Sequence, residues 1–219
     1  KGLSIVIINN RVNGRPAMKK RRGNSMSYLN NQVGYRDELL MTRSVVKKEN
    51  YVLLEPDGLV KNAIPGYENC DVTILGSPAM GATFADYLVT AKAGGKNTGI
   101  GGEGIESFLY VISGEVTVKN DDQEATLTEG GYIFSPEGNK IAFENKSGQD
   151  AKMYVYKRRY DRIEGYSAHT VVANVNDMEW VEYEGMNNCH IKDLLPAAGD
   201  FGFDMNMHSL KFKLGASHG

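Results

Sequence analysis

From Tyr51 to Tyr160 the chain is cut into short alternating segments by glycine, proline, asparagine and aspartate. YVLLEP (51–56) stops at Pro56-Asp57-Gly58, a turn signal. DVTIL (71–75) is β-branched and alternating, and ATFADYLVTAKA (82–93) reads as a longer strand ending at Gly94-Gly95. SFLYVISGEVTVKN (107–120), EATLTEGGYIFSPEG (124–138), KIAFEN (140–145) and AKMYVYKRRY (151–160) follow. Such segments, at a spacing of roughly 8–12 residues, cannot build a helical bundle; they predict an all-β sandwich or barrel. The 25 glycines and 12 tyrosines agree with a turn-rich, strand-rich fold.

The rest of the chain is less regular. Residues 26–50 are mixed and polar, with a predicted helical turn near Arg36–Met41. Residues 161–200 read as a connection, with a strand or two in NVNDMEWVEYEGM (174–186) and a short helical stretch in HIKDLLPAAGD (190–200). FGFDMNMHSLKFKLG (201–215) alternates again and stops at Gly215. Its MNMHSLKFKLG (205–215) can be laid on FADYLVTAKAG (84–94), a weak sign of duplication.

Two spaced frames follow the first of these matched strands. Gly95 and Gly114 bracket one; Gly130, Pro136, Gly138 and Asn145 make the other. They resemble the two signatures of cupin barrels, the double-stranded β-helix or jelly-roll fold. In those signatures His-x-His puts two imidazoles on one face of a strand, because alternate residues share a face. A Glu from the same hairpin and a third His complete a metal cluster. Here the four ligand positions hold Gly101, Glu103, Ser107 and Ile141. One carboxylate cannot hold a divalent transition metal, which needs three or four N or O donors. The first barrel is expected to be a cupin without metal.

Glu103 and Glu106 stand close enough to suggest acid–base work. The favoured reading is structural: Glu103 inward and hydrogen-bonded, Glu106 on the surface or in a turn. The four histidines, His169, His190, His208 and His218, show no His-x-His or His-x₃-His spacing. His169 reads as a surface or loop residue. His190 adjoins Cys189, but adjacent strand residues point to opposite faces. His208 enters the second matched strand and is a weak substrate-binding candidate. Cys70 and Cys189 form no CxxC and read as reduced thiols.

Net charge is −2 with both signs interspersed, so neither nucleic acid nor membrane is expected as partner. LSIVII (3–8) precedes Lys19-Lys20-Arg21-Arg22, the reverse of a signal peptide's order, so a cytoplasmic protein is expected. Residues 1–25 read as an extension outside the fold, disordered or vector-derived, with Met26 as the natural start.

MSYLNNQVGYRDELL, LLEPDGLVKNAIPGYENCDVTIL, GIGGEGIESFLYVISGEV, YVYKRRY, EGYSAH and GFDMNMHSLKFKLGASHG together resemble the ureidoglycine aminohydrolase family, from about Met26 to Gly219. The resemblance implies a bicupin acting in purine breakdown, downstream of allantoin. It implies hydrolysis of the small molecule (S)-ureidoglycine to (S)-ureidoglycolate and ammonia. It also implies Mn²⁺ held by Glu, His, His and Gln of the C-terminal cupin. Those ligands follow the strand equivalent to MNMHSLKFKLGASHG, so none falls on a residue of this chain, and the second barrel is expected to be incomplete. The expected division is a first cupin at 26–160, a linker with lead-in strands at 161–200 and the start of a second cupin at 201–219. A homo-oligomer is expected for the intact protein. The alternative from another class is a non-catalytic cupin that binds a small molecule or serves as a structural subunit.

Overall fold

The computed structural model describes residues 45–47, 51–54 and 59–215. The extension at 1–25, the helical turn near Arg36–Met41, the Pro56-Asp57-Gly58 turn and His218 lie outside the described residues. The described chain is almost entirely β, as its segmentation predicts. β1 (Val45–Lys47) and β2 (Tyr51–Leu53) form a two-stranded ribbon.

Nine strands then make one sheet, curled into a barrel: β3 (Tyr67–Gly76), β4 (Phe84–Gly101), β5 (Ile105–Ser113), β6 (Val116–Lys119), β7 (Glu124–Leu127), β8 (Gly131–Ser135), β9 (Lys140–Glu144), β10 (Ala151–Arg159) and β11 (Val171–Asn174). Their order is β11-β8-β5-β10-β4-β9-β6-β7, with β3 on β4. β5 and β6 separate at Gly114, and β7 and β8 at Gly130.

One expected boundary differs. β4 does not stop at Gly94-Gly95 but runs on to Gly101. The glycines bend the strand instead of ending it. Gly94 takes φ +77, and the pairing with β3 shifts register across this stretch. Beyond the bend β4 pairs with β9. A bulge of this kind lets one strand serve two parts of a closed sheet.

Strand alternation sorts the sheet's side chains into two cores. Val89, Ala91, Leu109, Val111, Ile133, Met153 and Val155 fill the barrel. Phe108, Tyr132, Phe134, Tyr154 and Tyr156 face outward, yet they too are buried. They are covered by Leu194, Leu195, Phe203, Met205 and Met207 from the C-terminal part of the chain. Each such large apolar side chain contributes about 1.5–3 kcal/mol on full burial.

The second, three-stranded sheet contains β12 (Val181–Tyr183), β13 (Met186–Asp193) and β14 (His208–Phe212). The short helix expected in 190–200 is absent. His190–Asp193 extend β13, paired to β14, and Pro196–Asp200 make a turn closed by Gly199 and Asp200 N–H groups on the Pro196 carbonyl. Pairing with β14 overrides the local helical pattern. Of the alternating run 201–215, only His208–Phe212 pairs as a strand. Polar contacts join the two sheets: Tyr132 Oη donates to the Leu194 carbonyl (2.7 Å), and Tyr160 Oη donates to the Gly202 carbonyl (2.9 Å).

Candidate functional site

The two spaced frames build the rim of the barrel. Gly114, Gly130 and Gly138 all take positive φ, which side chains with a Cβ rarely adopt. Asn145 fastens the β4 bend. Its Nδ2 donates to the Ala91 and Gln149 carbonyls, and its Oδ1 accepts from Ser147 N and Oγ. Its backbone N–H bonds to the Gly95 carbonyl, and its carbonyl accepts from Gly94 N–H. The Asn of the second frame is therefore a staple between the end of β9 and the bend.

The four ligand positions are placed as follows. A Cβ at Gly101 would lie 2.7 Å from Ser107 Oγ, so these two positions converge inside the rim. Ser107 is fully buried and donates to the Ile100 carbonyl at 3.3 Å. Ile141 is fully buried among apolar neighbours. Glu103 is exposed, contrary to the expectation of an inward, hydrogen-bonded carboxylate. Gly101, Gly102 and Gly104 all take positive φ and reverse the chain there, so residue 103 sits on a turn and strand alternation does not reach it. A buried hydroxyl and an exposed carboxylate do not fit a metal ion. Among the described residues no group of three or more His, Cys, Asp or Glu stands together for that purpose.

Glu106 reverses the other expectation: it is 0% exposed. Alternation puts it on the outer face of β5, as surface placement would require, but residues 201–207 lie over that face. Arg158, opposite it on β10, approaches Glu106 Oε1 with Nε at 3.6 Å and Asp204 Oδ2 with Nη2 at 3.2 Å. Asp161 N–H also donates to Asp204 Oδ2, at 2.7 Å. Neither Glu106 oxygen nor Asp204 Oδ1 has a hydrogen-bond partner as an acceptor-only carboxylate. Burial, then the neighbouring Asp204, pushes the Glu106 carboxyl up to about 10, against the pull of Arg158. A protonated Glu106 can donate to Asp204, which gives both carboxyls a partner. Spacing gave no hint of this cluster, because the covering segment is a hundred residues away in sequence.

Phe203, Met205 and Met207 pack on the first barrel, and Asp204 between them reaches Arg158 of β10. Asn206 Oδ1 and His208 Nδ1 are buried without hydrogen-bond partners. His169 lies apart, with Nδ1 3.9 Å from Asp200 Oδ2, and His190 pairs across β13 and β12 with Glu182. Cys70 and Cys189 are both free thiols, and Cys189 is buried.

A cupin-domain family model matches residues 89–156. The (S)-ureidoglycine aminohydrolase of Escherichia coli (strain K12) is 52% identical over 195 residues, which make up 89% of this chain and 74% of that protein. The crystal structure of E. coli protein Ylba superposes with a TM-score of 0.73 at 49% identity, covering 84% of this chain and 73% of that one. A glyoxylate-induced protein of Pseudomonas aeruginosa, 22% identical with a TM-score of 0.62 over 67% of this chain and 57% of its own, shares the fold. The chain belongs to the (S)-ureidoglycine aminohydrolase family.

Proposed function

We propose that this chain is part of an enzyme that hydrolyses (S)-ureidoglycine to (S)-ureidoglycolate and ammonia in purine breakdown. The observation that carries the reading is 52% identity to the E. coli aminohydrolase across 89% of the chain. The first barrel offers no donor set for a metal, so no chemical step is assigned to it. Manganese dependence is part of the proposal and rests on the family resemblance, which puts the ligands after the β14 strand.

Within this chain, His208 is the residue proposed to touch substrate. It stands partly buried at the start of β14, and its Nδ1 lacks a hydrogen-bond partner. Asn206, two residues earlier, leaves its Oδ1 free in the same way. Together they offer a ring nitrogen and an amide oxygen for holding the polar ureido and amino groups. The division into a first cupin at 26–160, a linker at 161–200 and a second cupin opening at 201 belongs to the same reading. So do a homo-oligomeric intact protein and a cytoplasmic location. No helix of the described residues is long and apolar enough to cross a membrane.

The test is ammonia release from freshly generated (S)-ureidoglycine by the intact protein, after chelation and with Mn²⁺ restored. Release that depends on restored metal is the expected result. No release with metal bound would overturn the activity and favour a cupin that binds without reacting.

A further inference from the structure

The first barrel has lost metal ligands but has not lost positive charge at its mouth. Lys157 lies opposite Ser107 in the pairing of β10 with β5. Ser107 occupies the frame position where a metal-binding cupin carries its glutamate. By alternation Lys157 shares the inner face of β10 with Met153 and Val155, both in the barrel core. Its Nζ sits 5.6 Å from the centroid of the Tyr87 ring, another inner residue. The ammonium is therefore held at the barrel mouth, one strand from the converging Gly101 and Ser107 positions.

A cavity of about 310 Å³ opens at this place, lined by Lys157, Arg159, Gly99, Gly101, Thr83 and Phe84 among others. Its size is at the low end of small-molecule sites. The charges around it are unequal in availability. Arg158, also at the rim, is engaged by Glu106 and Asp204. Lys157 and Arg159 form no ion pair with any described carboxylate. Glu106, beside Ser107 in sequence, is directed to the other face of the sheet and is buried there. Two unneutralised cations beside an apolar wall favour an anion, and a lysine ammonium held next to low-dielectric walls attracts it more strongly than one in water.

We propose that the mouth of the first barrel is a binding site for a small carboxylate, with Lys157 supplying the charge that a metal ion supplies in other cupins. Arg159 adds a second cation at the rim, and Gly99 and Gly101 line the cavity beside it. The site is separate from the one that carries the aminohydrolase reading and stands whether or not that reading holds.

Residue-resolved lysine acetylation of the intact wild-type protein tests this, with hydantoate as probe and urea as its uncharged counterpart. Hydantoate is expected to protect Lys157 while leaving the exposed Lys152 unaffected, and urea is expected to protect neither. In calorimetry, K157M should bind hydantoate at this site about 10-fold or more weakly, and K157R should retain most of the affinity. Acetylation of Lys157 that is indifferent to hydantoate would overturn the proposal, and because it needs no variant it decides even if K157M fails to fold. Unchanged binding by folded K157M would overturn it as well.

Discussion

Glu106 and Arg158 face each other across β5 and β10, with Arg158 Nε 3.6 Å from Glu106 Oε1, in a position sealed from water by residues 201–207. The carboxyl is nonetheless held protonated, because burial and Asp204 outweigh the guanidinium. The native state keeps a proton that the unfolded chain releases above its ordinary value of 4.5, so this group's contribution to stability falls as pH rises from about 4.5 towards about 10. Glu106→Gln keeps the shape and a donor but cannot ionise. It should be more stable than wild type at pH 7–8, by up to ~3 kcal/mol, with the difference shrinking towards pH 4.5. Thermal denaturation of both proteins across this range checks it. A constant offset at all pH values would show that Glu106 is already ionised in the native state.

Asn145 makes four side-chain hydrogen bonds in and around the β4 bend. Asn145→Ala strands the buried Ala91 carbonyl and frees the Ser147 turn. At about 1 kcal/mol per bond, with a further penalty for a buried group left unpaired, the loss should be about 3–4 kcal/mol. Urea denaturation with an unchanged m-value would measure it. A loss under about 1 kcal/mol would mean that the bend holds itself through Gly94 and Gly95.

The barrel was legible because its determinants are local. Glycines 114, 130 and 138 must reverse the chain, and alternation between them decides which side chains face inward. A glycine pair such as Gly94-Gly95 marks both a turn and a bulge, and only the partner strand distinguishes them. The site was less legible, since Glu106 becomes buried through Phe203, Asp204 and Met205, and no local pattern reports a contact across such a distance. Glu103 failed for the opposite reason: three positive-φ glycines broke the alternation on which its inward placement rested. The significance of Lys157 depends on Ser107 opposite it standing where a metal-binding cupin has its glutamate, and no local pattern around Lys157 reports that pairing.

Gly202 carries the contact between the two parts of the chain. A Cβ there would come within 2.4 Å of the Ser167 carbonyl carbon and oxygen, which are backbone atoms that cannot swing aside. Its own carbonyl accepts from Tyr160 Oη. Gly202→Ala should therefore shift residues 201–207 off the outer face, with a loss of about 2–4 kcal/mol through partial exposure of Phe203 and Met205. Gly148→Ala is the control, because nothing lies within 4 Å of its Cβ. Comparable melting temperatures for the two variants would show that the covering segment adapts without strain.

His208→Ala separates a substrate contact from a packing role. His208 is only partly buried and its ring nitrogen has no protein partner, so little stability rests on it. If it binds substrate in the intact protein, the alanine variant should lose about 10–100-fold in kcat/KM, the value of one or two hydrogen bonds to a polar ligand. Its metal content and melting temperature should stay near wild type. His208→Asn, which restores an acceptor of shorter reach, should recover part of the loss. A variant with normal kinetics would remove His208 from the site. One that lost metal and stability together would reassign the ring to the packing of β14 against β13.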